Sequence, residues 1–302
     1  MNSRKFSFPS EGSVSYRQSY RRCGKPTCST CRNGVGHGPY WYATWREGAK
    51  VRTAYVGREQ PPEPQPLSVR TLGSLHVTLP SGASVSWPKR QRELFTLLLS
   101  APNGVVPRDE VADTLWPDSD GLKAHQSMRA TVSALQRLLG SRTLVRMEGP
   151  VVALSLPAGS RDDVLFEQAA RVALATASVG GMITAIELFG GVYLSEVLYS
   201  DWTGYRRRML SDLRRHLVLR AAGAGAAGAD RSTIAGWLEE LLRDDPCDEG
   251  AARLLMRRYL EEGNRTAALR LYRRLVTALK QDLEADPEPE TVAMLKVMRH
   301  TE

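Results

Sequence analysis

Apolar positions along this chain change their period twice. From 67 to 87 (LSVRTLGSLHVTLPSGASVSW) apolar and polar residues partly alternate and Pro80-Ser81-Gly82 supplies a turn, which predicts short strands. From 88 the period becomes helical. PKRQRELFTLLLSAP (88–102) opens with proline in a first-turn position and sets Leu94, Leu97 and Leu98 on one face. PRDEVADTLWP (107–117) predicts a second helix with acids in its first turn, carrying Val111, Leu115 and Trp116. DSDGLKAHQSMRATVSALQRLLG (118–140) predicts a third, capped by Asp or Ser and ended by Gly140. Its Met128, Val132, Leu135 and Leu139 form one apolar stripe. Alternation returns in TLVRMEGPVVALSLP (143–157), a hairpin turning at Glu148-Gly149-Pro150.

Beyond 160 the pattern is helical almost throughout. Two breaks, RDDPCDE (243–249) and EADPEPE (284–290), each set Asp-Pro between a Leu-rich helix and an acid-opened one, so they mark helix–turn–helix units. In EEGNRTAALRLYRRL (261–275), Gly263 frees a turn, and Ala268 lets helices approach with Tyr272 one turn on, as in half a tetratricopeptide unit. AAGAGAAGAD (221–230) reads as a helix end or turn. TASVGGMITA (176–185) carries glycines where a more regular connection between helices is expected. At the other end, GPYWYATWREGAKVRTAYVG (38–57) alternates around Tyr40, Tyr42, Thr44 and Arg46 and predicts a hairpin turning in REGAK. QPPEPQP (60–66) is a stiff, extended linker. The expected division is a Cys/His-rich module over 1–58, a linker over 59–66, a three-helix module with hairpin over 67–157 and a helical domain over 158–302.

Charge sharpens this division. The net charge is +8, and residues 1–60 carry 11 Lys and Arg against 3 Asp and Glu. The last part, 158–302, carries 20 against 22. A basic front and a near-neutral back predict a polyanion-binding end and a partner-binding or self-associating end. No apolar run is long enough to span a membrane and no export signal opens the chain, so a cytoplasmic protein is expected. No G-x-x-x-x-G-K-[ST] loop, G-x-S-x-G elbow or H-E-x-x-H pair occurs. Neither an enzyme nor a nucleotide cofactor is expected.

The third helix carries the sharpest functional pattern. Opposite its apolar stripe stand Gln126, Arg129, Ala130, Ser133 and Arg137, and with Lys123 the helix holds three positive charges and no acid from 121 to 139. Arg pairs bidentately with guanine, Gln pairs with adenine, and Ser permits close approach. Arg142 and Arg146 suit phosphate or minor-groove contact from the hairpin. Three helices followed by a hairpin is the order of a winged helix-turn-helix. The competing reading of each Arg is an ordinary solvated side chain.

The stretches LGSLHV, PKRQRELFTLLL, VPRDEVADTLWPD and VSALQRLLG resemble the winged-helix domain of SARP-type transcriptional activators. FEQAARVAL, AIELFGGVYLSE and LMRRYLEEGNRTAALRLYRRLVTALKQDLEADPEPET resemble the bacterial transcriptional activator domain that follows it in that family. The resemblance covers about residues 67–298. It implies a central winged helix-turn-helix and a C-terminal tetratricopeptide-like domain; with the N-terminal residues read as a small β-hairpin or zinc-ribbon-like module, the expected fold is multidomain and mainly α. It further implies binding to direct-repeat, double-stranded promoter DNA, often as two copies (a homodimer), and engagement of RNA polymerase. The third helix departs from many relatives, with Ala134 and Gln136 where basic residues are common.

Cys23, Cys28, Cys31 and His37 follow C-x4-C-x2-C-x5-H. Zinc takes four such S and N ligands in a tetrahedron, and nearby cations stabilise thiolates. A disulfide and unligated thiols are the alternatives, the disulfide disfavoured in a reducing compartment. CGKPTC, CSTC and HGPYWY also resemble a small uncharacterised bacterial domain. Trp41 and Trp45 are expected in the hairpin's small core, while Arg17, Arg21, Arg22 and Lys25 are candidates for DNA contact. Cys247, remote from the cluster, is expected to be structural or incidental. Two other functions stay open: single-stranded DNA or RNA binding through the aromatic, basic front, and a helical-repeat adaptor for protein partners.

Overall fold

The structure, a computed structural model, describes residues 15–47, 50–59, 66–224 and 231–300. Residues 1–14, 48–49, 60–65, 225–230 and 301–302 lie outside the described residues, and with them the turn expected in REGAK and most of the expected linker. The described residues are mostly helical with three small sheets. It divides into two units: one takes the chain to Arg70 and again over Leu75–Ser160, the other takes Thr71–Ser74 and everything from Arg161.

In the first unit, β1 (Ser15–Arg21), β2 (His37–Glu47) and β3 (Lys50–Gly57) form an antiparallel sheet in chain order. The expected hairpin is β2–β3, with Tyr42 opposite Tyr55. β1 was not legible as a strand because SYRQSYR has almost no apolar residue to alternate. Trp41 and Trp45 are only half-buried, and the fully enclosed residue between them is Ala43. So small a sheet covers a methyl group more readily than an indole.

Further along, β4 (Ser68–Arg70) pairs with β5 (His76–Thr78), and the chain turns back after β5 through Pro80–Gly82. Helix α2 (Lys89–Ser100) buries every residue from Leu94 to Leu99, a wider face than its leucines alone predict. Phe95 stacks on Trp87 with ring centres 4.8 Å apart. Helices α3 (Arg108–Leu115) and α4 (Gly121–Leu138) pack on α2 and on each other. In α4 the predicted stripe of Met128, Val132 and Leu135 is buried, and Leu139 just beyond it is buried too. β7 (Val145–Glu148) and β8 (Val151–Leu154) form the expected hairpin. A short strand the pattern did not show, β6 (Val105–Pro107), pairs with β8 to give the order β6-β8-β7. Three residues ending in proline are too few to display a period.

The second unit consists of α5 (Asp162–Ala175), α6 (Val179–Glu187), α7 (Asp201–Gly223), α8 (Arg231–Asp244), α9 (Glu249–Glu261), α10 (Arg265–Asp282) and α11 (Pro289–His300), each packed on its neighbours in sequence. Both Asp-Pro breaks fall between helices, and Asp248 caps α9 through the Ala251 N–H. Gly263 has a φ of +73° in the α9–α10 turn, and Ala268 beyond it is wholly buried. The glycines of 176–185 do not interrupt a helix. Ser178 caps α6 there, and a Cβ on Gly181 would stand 3.2 Å from that of Ala173, so glycine lets α5 and α6 close.

Two adjacent carboxylates organise this unit. Asp162 accepts from the Thr71 N–H and hydroxyl at 2.7 and 2.8 Å and from the Leu72 N–H at 3.0 Å. Thr71–Gly73 then pairs with Val192–Ser195 through backbone hydrogen bonds. Asp163 is fully buried, with Arg161 at 2.7 Å and Arg206 at 2.8 Å. Burial pushes its carboxyl up, but the two guanidinium groups outweigh this and hold it below its ordinary 3.8. No described helix is long and apolar enough to cross a membrane.

Asp163→Asn leaves Arg161 and Arg206 facing an uncharged, buried amide, with Glu167 as the remaining carboxylate on Arg206. It should lower the stability of the helical unit by about 3–5 kcal/mol, read from urea unfolding followed by helical circular dichroism. The wild-type contribution is complete at neutral pH and is lost as pH falls below 3.8 through the depressed folded value. Between pH 7 and 5 the variant's deficit should therefore stay constant, and it should shrink only under stronger acid.

Candidate nucleic-acid interface and metal centre

Helix α4 presents its expected polar face. Lys123, Gln126, Arg129, Ser133 and Arg137 are all exposed, with Ala130 among them. Among the described residues none of the five engages in a side-chain hydrogen bond or ion pair. The face is therefore charged and unoccupied, while the opposite stripe is locked in the core. Leu122, 76% exposed at the first turn, was not anticipated and adds an apolar group beside Lys123.

The hairpin is fixed to this helix. Gln136 is not on the polar face: its amide donates to the Val145 carbonyl at 2.8 Å and ties the start of β7 to α4. This gives a structural use to a position where a basic residue was the alternative. Buried Ser141 closes the connection, its hydroxyl 2.9 Å from that of Thr143. Arg142 is exposed in the bend before β7. Arg146, also exposed, is less free, because Glu148 on the same strand lies 2.9 Å from its Nε.

Cys23, Cys28, Cys31 and His37 meet at the open end of β1 and β2, where Arg21 is in register with His37. Cys28 caps the short helix α1 (Ser29–Arg32), which contains Cys31. Gly36 has a φ of +106°, and a Cβ there would lie 2.8 Å from the Arg21 carbonyl oxygen, so only glycine lets His37 enter the strand. The four ligand atoms lie within 4.8 Å of one another. Cys23 and Cys31 sulfurs are 3.6 Å apart, and Cys28 Sγ is 3.2 Å from His37 Nε2. Tetrahedral zinc with Zn–S bonds of about 2.3 Å spaces its sulfurs by about 3.8 Å, so this donor set fits a metal.

The surroundings favour thiolate at Cys28. The Cys23 N–H donates to Cys31 Sγ at 3.3 Å. Cys28 is lowered to about 6, first by the Cys31 N–H and then by hydrogen bonds to Cys23, Cys31 and His37, against a smaller desolvation. Cys31 is pulled down by the Cys23 N–H, but burial and the other two thiols make its net direction upward. Cys247 is remote, and burial with the charges of Asp282, Asp245 and Glu249 raises its thiol.

Beside the cluster the sheet forms an open concavity of about 1230 Å³. Arg21, Arg22 and Lys25, all anticipated, line it with Arg58, and so do Tyr40, Tyr42 and Tyr55. Arg17 is exposed on β1 but does not line it. Sequence reasoning missed Tyr55 and Arg58. The pairing of Tyr42 with Tyr55 was available from the hairpin's alternation had its register been worked through.

A three-helix module with a hairpin, followed along the chain by a helical unit, is an arrangement met in two-module regulators of transcription. The comparisons agree. Residues 164–299 match the bacterial transcriptional activator domain, and residues 4–65 match a domain of unknown function, DUF6788. The transcriptional regulatory protein MoaR1 of Mycobacterium tuberculosis is 25% identical over 251 residues, covering 76% of this chain and 78% of that protein. The regulator EmbR of the same organism is 26% identical over 74% of this chain and 61% of its own length. The regulatory protein AfsR of Streptomyces griseus is 25% identical over 74% of this chain and 24% of its own. The structure of EmbR in complex with a low-affinity phosphopeptide superposes with a TM-score of 0.64 at 25% identity, over 77% of this chain and 65% of that one. The chain is therefore similar to SARP-type transcriptional regulators over about three quarters of its length, and its residues 164–299 carry the match to the bacterial transcriptional activator domain.

If the cluster holds zinc, purified protein should contain about one equivalent. Cys28→Ser or His37→Ala should abolish it, and Cys247→Ser should leave it unchanged. Once the metal is chelated, iodoacetamide at pH 7 should label Cys28 well before Cys247.

Proposed function

We propose that this protein is a transcriptional activator that binds double-stranded promoter DNA through a winged helix-turn-helix. α4 enters the major groove with Lys123, Gln126, Arg129, Ser133 and Arg137, while the hairpin carrying Arg142 and Arg146 lies on the backbone or in the minor groove. One observation carries this reading: the exposed face of α4 has three cations, no acid and no internal partner among the described residues, yet its other face is fixed in the core. A helix so presented spends none of its charge on its own protein.

The helical unit then serves protein contact. It is tetratricopeptide-like and engages RNA polymerase, and two copies of the chain occupy one promoter. The N-terminal module holds a structural zinc and adds Arg21, Arg22 and Lys25 to the positive charge offered to DNA. The site of action is the cytoplasm. The support comes from the activator domain and from the kinship with MoaR1, EmbR and AfsR.

A duplex selected from random sequence should be bound in salt that removes nonspecific binding. Arg129→Ala with Arg137→Ala should weaken that specific complex about 100-fold, two base contacts at about 1–3 kcal/mol each. Arg142→Ala should weaken all duplexes alike and flatten the salt dependence. A footprint unchanged in the double variant would overturn the assignment of α4.

A further inference from the structure

The concavity of the N-terminal module has a chemistry that duplex binding does not use. Its cations are Arg21, Arg22, Lys25 and Arg58, Cys23, Cys28 and His37 of the cluster form one end of it, and among the described residues no carboxylate lines it. Its floor is aromatic. Tyr42 and Tyr55 meet edge to face with ring centres 5.6 Å apart, and Tyr40 and Tyr55 do so at 6.1 Å. The Arg21 guanidinium lies 5.6 Å from the centre of Tyr42, and that of Arg58 lies 5.6 Å from Tyr40. Tyr55 is 46% exposed. Arg21 and Arg58 lie over Tyr42 and Tyr40, so an incoming flat ring stacks first on the exposed Tyr55, and on the other two rings as the arginines turn to its phosphates.

A duplex offers phosphates but keeps its base faces inside the stack. On this surface it would engage the four cations and leave the tyrosines idle. A ligand that uses both must carry negative charge at regular intervals and exposed π-faces between them. We propose that this concavity binds single-stranded nucleic acid, with bases stacking on Tyr40, Tyr42 and Tyr55 and phosphates held by Arg21, Arg22, Lys25 and Arg58. The open form and the volume suit a strand passing across the sheet rather than an enclosed small molecule. The Cys/His cluster takes part by position: Cys23 follows Arg21 and Arg22, and Lys25 lies inside the Cys23–Cys28 loop, so a closed cluster holds three of the four cations at the rim. This site stands independently of the assignment of α4, since no residue is shared.

The test uses the full chain as purified with its metal. Fluorescence anisotropy compares labelled oligo(dT) and oligo(U) of twelve nucleotides, chosen at about the site size of one such module, with a random duplex of equal length. The single strands should bind more tightly than the duplex. Tyr55→Ala should weaken them at least about fivefold, the effect of one lost stack, while Tyr55→Phe should bind like wild type. Arg58→Gln should also weaken them, and Arg129→Ala with Arg137→Ala should leave them unchanged. Ultraviolet crosslinking of oligo(dT) should label peptides containing Tyr40, Tyr42 or Tyr55, which reports on wild type even if a variant misfolds. In the Arg129→Ala, Arg137→Ala chain, duplex binding as tight as single-strand binding would overturn the proposal, and so would crosslinks confined to α4 in the wild type. Equal binding of oligo(dT) and oligo(U) supports a site that reads rings and phosphates; preference for one assigns the strand type.

Discussion

The helical unit depends on two neighbouring carboxylates that do opposite jobs. Asp163 is buried, and a buried charge is tolerable only when it is paired and fully hydrogen-bonded. Arg161 and Arg206 meet that condition, and Arg206 also reaches Glu167 one turn along α5 at 2.5 Å. The network therefore fixes α5 against α7. Asp162, next to it, spends its oxygens on backbone N–H groups of Thr71 and Leu72. A reversal of the two side chains would strand a charge in the interior and leave two N–H groups unpaired. The start of α5 is thus determined by charge satisfaction more than by apolar burial, and the packing of Phe166 and Phe189 builds outward from it.

Much of the fold was legible because it rests on periodicity. The α4 stripe, the Asp-Pro breaks and the hairpin at Glu148–Pro150 each follow from residues close in sequence. What escaped was set by partners far away. β6 is a strand because β8 lies beside it, and β1 is one because β2 does. Helix α6 forms through Gly180 and Gly181 because Ser178 caps it and a close approach to Ala173 rewards the missing side chain. No local pattern announces such pairings.

The candidate sites divide the same way. The polar face of α4 follows from helical spacing alone, so its five residues were found together. The Cys/His set was visible as a spacing, although whether four donors converge is a property of the turns at Gly24 and Gly36. Gln136 shows the reverse case: it stands where a basic residue is common in relatives, and its amide is consumed by the carbonyl of Val145. Tyr55 and Arg58 joined the basic front only through strand register.

The short piece Thr71–Ser74 has a consequence for how such proteins are assembled in evolution. These four residues are encoded among those of the N-terminal unit but complete the helical one. A recombination event at the visible seam near residue 160 would separate the helices from a backbone ladder and from the only described partners of the Asp162 oxygens outside its own helix start. A complete helical unit therefore needs residues 71–74 as well as those from 161 onward. The Cys/His module carries its ligands and all three strands within one uninterrupted stretch, so it is the piece that shuffling can add or remove.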